Sequence, residues 1–404
     1  MTNADEIPAS VSGWPDGTGM VYFGMSPWQG MRKSRYQLMT RFSVDMPVLY
    51  VEPWVGLRSL RTGKTRRARV LTDVGLGIER HAPNVAVFPA KAYLPVSHSP
   101  RLAGITRGRW LRAVERAMRA AGIHRPILWV SKPEMKFVVD HFDDAFTIYH
   151  VVDEYGGYTG LQPEQRDALA RTEAQLLDQV DLVIVASPEL QAAKQGSGRT
   201  LLVLENGVEP VEYADARNQQ AEPADLAGIP RPRLGYSGLI GKRLDLDLLR
   251  ATAEHRPDCS LVLIGKVDTR ECEAELAELE SLPNVYLLGE KPGDKVAGYV
   301  VGFDVGLLPY AINLETQHIS PIKMYEYWAA GAPVLSTAIP AAQRHDFAVH
   351  VADSPAAFLR ALDALLLSES VEESQRLIEI AAQNSWQARV DTVSAELRSM
   401  IGCQ

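Results

Sequence analysis

The sequence predicts two doubly wound α/β domains that face each other across a central cleft. Apolar runs such as NVAVF, PILWV and TIYHVV recur in the first half of the chain, and SLVLIGK, NVYLLG and APVLST in the second. These runs are continuous rather than alternating in polarity, which is typical of parallel strands covered by helices on both faces. With 404 residues, 46% of them hydrophobic, the chain is long enough to fill two cores of ordinary size.

The expected division of the chain follows the strand-like runs and the stretches between them. The first residues are polar and acidic, and the stretch after residue 210 is rich in Ala, Glu, Gln and Pro with little periodicity, which is typical of a linker. The last residues form an amphipathic pattern that predicts a helix, expected to cross back onto the first domain. We therefore expect a flexible arm at 1–19, a first domain at 20–210, a linker at 211–231, a second domain at 232–384 and a terminal helix at 385–404.

The cysteines and the apolar runs restrict the class of protein. Cys259, Cys272 and Cys403 are odd in number and lack C-x-x-C spacing, so the sequence predicts neither a disulfide framework nor a structural zinc site. Residues 1–19 lack the apolar core of a signal peptide, and no apolar run reaches the roughly 18 residues of a membrane span. We expect a cytoplasmic protein.

Basic residues are concentrated in one part of the first domain. From Arg58 to Arg125 there are fifteen Lys and Arg and three acidic residues, a net charge of +12, whereas the remainder of the chain carries −20. Within this region the stretch from Arg101 to Arg125 predicts a basic helix with an apolar stripe. The stripe consists of Trp110, Leu111, Val114 and Met118.

Two interpretations of this basic helix stay open. It can lie on anionic lipid, where each basic residue near the surface contributes about 1 kcal/mol. It can instead be a solvated helix that packs its apolar stripe inward. A nucleic-acid partner is disfavoured, because the aromatic residues that stack on bases are sparse here. We favour peripheral association with the inner face of the cell membrane.

The segment from Ile319 to Thr337 carries the most specific signal in the chain. Its sequence, ISPIKMYEYWAAGAPVLST, predicts a short helix capped by Ser320, with Pro321 as its first residue, that stops at Gly331. A helix N-terminus offers partial positive charge and free N–H groups to a phosphate, and Lys323 adds a full charge. The run PVLST predicts a buried strand after the helix.

Glu326 follows Lys323 by three residues, so the two side chains share one face of this helix. A carboxylate one turn deeper than the cation can accept both hydroxyls of a ribose whose diphosphate lies toward the helix start. The alternative is a surface ion pair, although Lys before Glu is the less favourable order for one.

A second phosphate-binding turn is expected after the strand RLGYS. Ser237, Gly238, Gly241, Lys242 and Arg243 can present backbone N–H groups and two cations to a phosphate. The turn is not a Walker A loop, because a tyrosine and an arginine stand where that motif requires Gly and Ser or Thr. The alternative is that both cations are merely exposed to solvent.

The segment around Glu326 resembles the donor-site signature of GT-B glycosyltransferases, especially the large retaining family 4 and its polysaccharide-assembling relatives. In that signature a Glu stands five residues before the Gly of a G-x-P-V run, as Glu326, Gly331, Pro333 and Val334 do here. Further segments agree in order over about 20–395, namely LYVEPW, IYHVVDEYGGY, DLVIVASPEL, LENGVEP and FDVGLLPY. The resemblance implies the GT-B fold, with two Rossmann-like domains facing a central cleft.

The resemblance also implies which residues bind a nucleotide diphosphate sugar. Lys323 and Arg243 would neutralise the leaving diphosphate, and backbone groups at Gly289 and Glu290 would read the nucleobase. The family commonly has two glutamates separated by seven residues, and His318 replaces the first, which usually touches the transferred sugar. The donor-binding residues so implied are Glu326, Ser320, Pro321, Ile322, His318, Gly238, Lys242, Tyr310, Asn313, Gly289 and Glu290.

On the acceptor side, Asp153 follows the strand TIYHVV, and Gly156 and Gly157 behind it allow a close backbone approach. A carboxylate at a strand end can take a proton from an acceptor hydroxyl, as a comparable Asp does in some inverting relatives. In retaining members the leaving phosphate itself is thought to take that proton, and Asp153 would then orient the acceptor. The alternative is an Asp that caps a helix or a loop.

A metal is not expected. Asp245 and Asp247 have the D-x-D form that metal-using GT-A enzymes employ, but they lie about 200° apart on the predicted helix and would not converge on one ion. We expect no cofactor, with the cationic role taken by the helix terminus, Lys323 and Arg243.

The sequence thus predicts a metal-independent glycosyltransferase that moves a sugar from a nucleotide diphosphate sugar to a hydroxyl acceptor, with retention favoured over inversion. A lipid-linked or cell-envelope polysaccharide intermediate is the expected acceptor. Two alternatives stay open: a nucleotide-sugar 2-epimerase of the same fold, and a non-catalytic nucleotide- or glycan-binding scaffold. The replacement of a glutamate by His318 is the best argument for the scaffold.

Overall fold

The chain folds into two α/β units, each built around one mostly or wholly parallel sheet. A computed structural model describes residues 13–28, 34–53, 78–89, 100–152, 162–195, 199–219, 222–269, 272–313, 316–368 and 370–402.

The first sheet has eight strands in the order β3-β4-β2-β1-β5-β6-β7-β8, all parallel except the β3–β4 pair. The strands are β1 Thr18–Phe23, β2 Val48–Val51, β3 Glu79–Ala82, β4 Val85–Phe88, β5 Arg125–Val130, β6 Phe146–Val151, β7 Leu182–Val185 and β8 Thr200–Val203. The helices described with them are α1 Ser34–Asp45, α2 Pro100–Ala120, a 3₁₀ turn at Pro133–Met135, α3 Lys136–Val139, α4 Pro163–Gln179 and α5 Pro188–Lys194.

The second sheet has six parallel strands in the order β11-β10-β9-β12-β13-β14. The strands are β9 Arg233–Ser237, β10 Ser260–Ile264, β11 Val285–Gly289, β12 Val305–Leu308, β13 Val334–Thr337 and β14 His350–Ala352. The helices are α6 Pro210–Asn218, α7 Ala224–Ala227, α8 Leu246–His255, α9 Glu273–Glu280, α10 Val296–Val300, α11 Ile322–Ala330, α12 Pro340–Arg344, α13 Pro355–Leu367, α14 Val371–Gln383 and α15 Trp386–Ile401.

Burial on both faces explains why the strand sequences are continuously apolar. Every residue of β1 is buried, and alternate side chains enter different cores. Val21 and Phe23 lie in the cluster that contains Trp110 of α2, whereas Met20 and Tyr22 lie in the cluster on the opposite face. Since successive side chains of a strand point to opposite faces, a strand covered twice needs apolar residues throughout.

The segment 211–231, for which the sequence predicts a linker, is more structured than expected. Most of α6 and all of α7 lie within it, and Tyr213 and Ala216 of α6 are buried in the core of the second unit. Two short helices of nine and four residues leave little periodicity to detect in a sequence. The predicted arm also differs, because Trp14 is buried in the first unit and its ring lies 5.1 Å from the guanidinium of Arg398.

The last helix, α15, returns to the first unit. Its buried residues Trp386, Val390, Val393 and Leu397 share one core with Leu38, Met39 and Phe42 of α1 and with strand residues of the first sheet. The chain therefore passes between the units twice, and the two crossings pair with each other. The Val208 N–H donates to the Asn384 carbonyl at 3.1 Å, and the Trp386 N–H donates to the Val208 carbonyl at 3.0 Å.

The basic helix predicted for 101–125 is α2, which ends at Ala120. Its apolar stripe faces inward, because Trp110, Leu111, Val114 and Met118 are all buried in the first core. The opposite, exposed face carries Arg109, Arg112, Arg116 and Arg119, whereas Arg107 lies on the side of the stripe, with its guanidinium 4.8 Å from the centre of the Phe137 ring. The stripe is therefore not available to enter a lipid layer, and any attraction to a membrane through this helix has to come from its arginines. In the described part of the chain, no helix has the length and hydropathy needed to cross a bilayer.

Candidate functional site

The helix predicted to start at Pro321 begins one residue later than expected. α11 starts at Ile322 with Pro321 at its N-cap position, and no side chain caps it. The prediction of Ser320 as the cap is wrong, because its Oγ instead accepts a hydrogen bond from the N–H of Asn206 at 3.2 Å. The predicted stop is confirmed, since Gly331 has a φ of 77°, which glycine adopts at low cost.

Lys323 lies directly on the backbone at the carboxyl end of β9. A Cβ added to Gly238 would be 2.2 Å from Lys323 Cε, so only glycine leaves room for this side chain. Gly238 has a φ of 148°, which also favours glycine. A Cβ on Gly265 would likewise be 1.8 Å from the Gly238 carbonyl oxygen. At the ends of β9 and β10, Gly265 therefore packs closely on Gly238, and Gly238 packs closely on the Lys323 side chain.

Tyr236 connects Lys323 with Arg243. Lys323 Nζ lies 5.9 Å from the centre of the Tyr236 ring. Burial, with a smaller contribution from Tyr310, raises the pKa of Tyr236 well above its usual value, and the Arg243 guanidinium is near enough to oppose that rise. Arg243 and Lys242 themselves are exposed. The structure therefore places Lys323 and Arg243 near the same buried tyrosine, at the carboxyl end of the second sheet.

Glu326 lies one turn deeper and is surrounded by polar groups from three elements. Ser237 Oγ donates to Glu326 Oε2 at 3.5 Å, and Tyr213 of α6 makes a side-chain hydrogen bond to the same carboxylate. Burial raises the pKa of Glu326, while the Lys323 charge and the hydrogen bonds from Ser237 and Tyr213 oppose the rise. The neighbouring Tyr327 hydroxyl accepts the Ser237 N–H at 3.1 Å, which fixes the end of β9 against α11.

The loop between β12 and α11 supplies His318, Tyr310 and Asn313. His318 Nδ1 is buried and has no hydrogen-bond partner among the described residues. Tyr310 is buried and pairs with Leu244 of the 239–244 loop. Asn313 Oδ1 accepts the Thr316 N–H at 3.1 Å and so holds the loop in shape. Of these three residues, His318 is the one with a buried side-chain nitrogen that the described residues leave without a hydrogen bond.

Gly289 continues the line of glycines at the sheet edge. Its carbonyl accepts the Gly265 N–H at 2.9 Å, and its own φ is 70°. Glu290 follows it and is exposed. The carboxyl ends of β9, β10 and β11 therefore form a continuous backbone surface that extends away from Lys323.

Ile322 and Trp28 show that the start of α11 faces the first unit. Both pack against the core cluster formed by the first sheet, α1 and α15. Trp28 contacts Tyr36 and Tyr50, with ring centres 4.8 and 5.0 Å away. Asp153, the predicted acceptor-side residue, lies outside the described residues. His150 is buried against Trp129, and burial lowers its pKa to about 4, so it is a neutral core residue.

Three contacts between the units involve residues that the sequence did not single out. Asn206 Nδ2 donates to the Ser320 carbonyl at 2.6 Å. Arg344 of α12 donates to Glu205 at 2.8 Å and also pairs with Glu189 of α5. Burial opposes ionisation of Glu205, but hydrogen bonds from His345 and Arg344 outweigh it and lower its pKa to about 2. The sequence signals for these contacts are the LENG segment, which contains Glu205 and Asn206, and the DLVIVASPEL segment, which contains Glu189.

Asp245 and Asp247 have separate roles. The Asp245 carboxylate caps α8 by accepting the Leu248 N–H at 2.9 Å, whereas Asp247 pairs with Arg250 at 3.2 Å. Among the residues that the structure describes, no group of three His, Cys, Asp or Glu is placed to hold a metal ion.

Known proteins resemble both the sequence and the fold. Residues 231–368 match the model of the family described as glycosyl transferases group 1. The Bacillus subtilis (strain 168) protein TuaH, which is named as a teichuronic acid biosynthesis glycosyltransferase, is 26% identical over 283 residues, or 66% of this chain and 70% of its own.

Among solved structures, the sucrose-phosphate synthase of Thermosynechococcus elongatus has a TM-score of 0.71 at 15% identity, over 96% of this chain and 100% of its own. Anabaena Alr3699/HepE, in complex with UDP and glucose, has a TM-score of 0.67 at 13% identity, over 94% and 99%. Two Rossmann-like units in this arrangement constitute the GT-B fold.

Proposed function

We propose that this chain, a group 1 glycosyltransferase with the GT-B fold, transfers a sugar from a uridine diphosphate sugar to a hydroxyl group of a cell-envelope glycan intermediate. The observation that carries the proposal is the meeting of Lys323, Arg243 and the start of α11 beside Tyr236. Cations and helix N–H groups at one point favour a diphosphate.

In this reaction the bond between the sugar C1 and the diphosphate oxygen breaks as the acceptor oxygen bonds to C1. Lys323 and Arg243 stabilise the negative charge that grows on the leaving diphosphate. Glu326, in its ionised form, accepts the ribose hydroxyls. His318 Nδ1 is available to a hydroxyl of the transferred sugar, because no described residue satisfies it. Neighbouring solved structures that contain UDP support uridine as the nucleoside.

We favour retention of configuration at C1. The leaving phosphate oxygen then receives the acceptor proton on the side from which the donor departs, and Asp153 orients the acceptor. Lys323 beside Gly238 keeps the diphosphate close to C1 while this happens. A general base is needed only for inversion, where Asp153 would take the proton.

We also propose that the reaction needs no metal. In enzymes that use one, a divalent ion offsets the charge of the diphosphate. Here the negative charge of the diphosphate is offset by Lys323, Arg243, Lys242 and the positive end of α11. The two carboxylates of the D-x-D sequence are used elsewhere, at the α8 cap and in the pair with Arg250.

The acceptor is proposed to be a lipid-linked or envelope polysaccharide intermediate at the inner face of the cell membrane. The relative TuaH, named for teichuronic acid biosynthesis, supports an envelope polymer. The arginine face of α2 supports attraction to an anionic surface. We infer a cytoplasmic enzyme that associates peripherally with lipid.

A ligand screen tests this function. Thermal unfolding is followed with UDP-, GDP-, ADP- and dTDP-sugars, and UDP-sugars are expected to raise Tm. A ligand at about 100 times its Kd adds about 2.7 kcal/mol. The stabilising donor is then incubated without acceptor, with and without EDTA. Slow release of UDP that EDTA does not change supports the proposal. An isomerised sugar would indicate an epimerase, and binding without turnover on any glycan would indicate a scaffold.

A further inference from the structure

Asn206 lies at the crossing between the two units and contacts the segment that starts the phosphate-binding helix. Its backbone N–H donates to Ser320 Oγ at 3.2 Å, and its side-chain Nδ2 donates to the Ser320 carbonyl at 2.6 Å. Both bonds reach across 114 residues of sequence. Ser320 stands two residues before α11, so its position determines where the helix begins.

The other side of Asn206 is held by the second crossing. The Arg389 guanidinium donates to the Asn206 carbonyl through both Nε and Nη2, each at 3.1 Å, and Nη2 also donates to Asn384 Oδ1 at 2.7 Å. Arg389 belongs to α15, whose apolar face is buried in the first unit. A continuous chain of hydrogen bonds therefore runs from α15 through Asn206 to the start of α11.

These hydrogen bonds matter because, under the proposed function, the two substrates lie on different units. The second unit would hold the diphosphate of the donor, and the first unit would hold the acceptor. An enzyme that holds one substrate on each unit depends on the distance between them, and an error of about 1 Å can cost about a hundredfold in rate. The side-chain amide of Asn206 provides a short, direct link between the first unit and the diphosphate site.

We propose that Asn206 is a positioning residue for sugar transfer, which acts through Ser320 by fixing the start of α11 relative to the first unit. The inference rests on the proposed function and adds to it a residue that does not touch the donor. Its loss should leave the second unit able to bind the nucleotide, because Lys323, Glu326 and Ser237 contact one another within that unit. The misplaced sugar should then react slowly.

The test compares Asn206→Ala and Asn206→Asp with the wild type and a control. Asn206→Asp keeps the shape of the side chain but cannot donate to a carbonyl. The matched control is Asn84→Ala, because Asn84 Nδ2 donates to the Ser43 carbonyl at 2.9 Å in the first unit, as a single amide–carbonyl bond. For each protein, calorimetry gives the Kd of UDP. UDP release from UDP-glucose, measured with a cell-envelope glycan acceptor and corrected for release without it, gives kcat for transfer.

Both Asn206 variants are expected to bind UDP within about threefold of the wild type and to lose about 10- to 100-fold in kcat. Asn84→Ala should change neither value by more than about twofold, although its Tm falls. Asn206→Ala kinetics equal to those of the control, or a restored kcat in Asn206→Asp, would overturn the inference while the proposed function stands. A wild type that neither binds UDP nor releases it from UDP-glucose removes the UDP-sugar function and, with it, the inference.

Discussion

The molecule has two cationic regions that differ in how they are built. The donor site has few cations, and Lys323 among them rests on glycine backbone and faces a buried tyrosine. The exposed face of α2 has four arginines on one helix, and all four are exposed to solvent. In the first region Lys323 is a half-buried charge held in place by its packing, and the second region is a charged surface in solvent.

This comparison shows that the number of charges in a region and the interaction energy of each charge are separate properties. In water, two unit charges 4 Å apart interact by about 1 kcal/mol, and burial increases that several-fold. Salt screens the exposed region, with a Debye length of about 8 Å at physiological ionic strength, but screens the partly buried one far less. One cation at the donor site should therefore contribute more than several on α2.

Lys323→Ala tests that difference and has the largest expected effect. Removing a preorganised charge that stabilises the leaving diphosphate should cost about 2 to 4 kcal/mol, or about 30- to 1000-fold in kcat. Donor hydrolysis should fall along with transfer, since the same bond breaks in both. The measurement is UDP release from the donor identified by the ligand screen.

The matched control is Arg250→Ala. Arg250 is a cation of the same unit that pairs with Asp247 on the outer side of α8. It should leave kcat within about twofold. If both variants retain wild-type rates, the charges at the α11 start do not act on the diphosphate.

The sequence predicted the helix of the Ile319–Thr337 segment more accurately than the tertiary contacts of that segment, for physical reasons. Helix signals are local, so Pro321, Gly331 and the Lys323–Glu326 spacing could be interpreted along a single segment. The start of α11 was misplaced because Ser320 forms its bond with Asn206, a tertiary partner that overrides a local capping preference. No local pattern reveals that partner, which is 114 residues away.

The same reasoning explains the other differences. Tyr213 was assigned to a linker, yet it reaches Glu326 because α6 packs on the second unit. The α2 stripe fits either a lipid or a protein partner by periodicity, and only the packed structure shows that it faces the core. The fold class and most of the buried strands were predictable, because burial on both faces leaves an unambiguous apolar run.

Tyr213→Phe should produce a smaller, pH-dependent effect at the donor site. The Tyr213 hydrogen bond favours ionised Glu326, whose pKa burial raises. Removing the bond should raise that pKa further, so that the carboxylate becomes protonated at a higher pH as the solution is acidified. Ribose hydroxyls then lose an acceptor. We expect kcat/KM for the donor to fall by up to about tenfold on the acid side, with no change at high pH.

The pH profile of kcat/KM, measured where circular dichroism shows an intact fold, checks this expectation. Tyr299→Phe is the control, because the Tyr299 hydroxyl donates to Asp225 at 2.7 Å in the same unit, also as a tyrosine–carboxylate bond. The low-pH part of the kcat/KM profile of Tyr299→Phe should coincide with that of the wild type. An unshifted low-pH profile in Tyr213→Phe would mean that Glu326 does not accept the ribose in its ionised form.

The smallest expected effect per substituted residue belongs to the arginine face of α2. Arg112→Gln/Arg116→Gln removes two exposed charges from one face of the helix. Each should weaken binding to vesicles of phosphatidylserine and phosphatidylcholine by about 1 kcal/mol at low salt, with no change in kcat toward a water-soluble acceptor. The double variant should therefore bind about 30-fold more weakly in co-sedimentation, and added salt should shrink the difference because it screens the wild-type attraction. Equal pelleting of both proteins, or none of the wild type, would mean that the dense charge of α2 has no role at lipid, and only the donor-site cations would keep an assigned function.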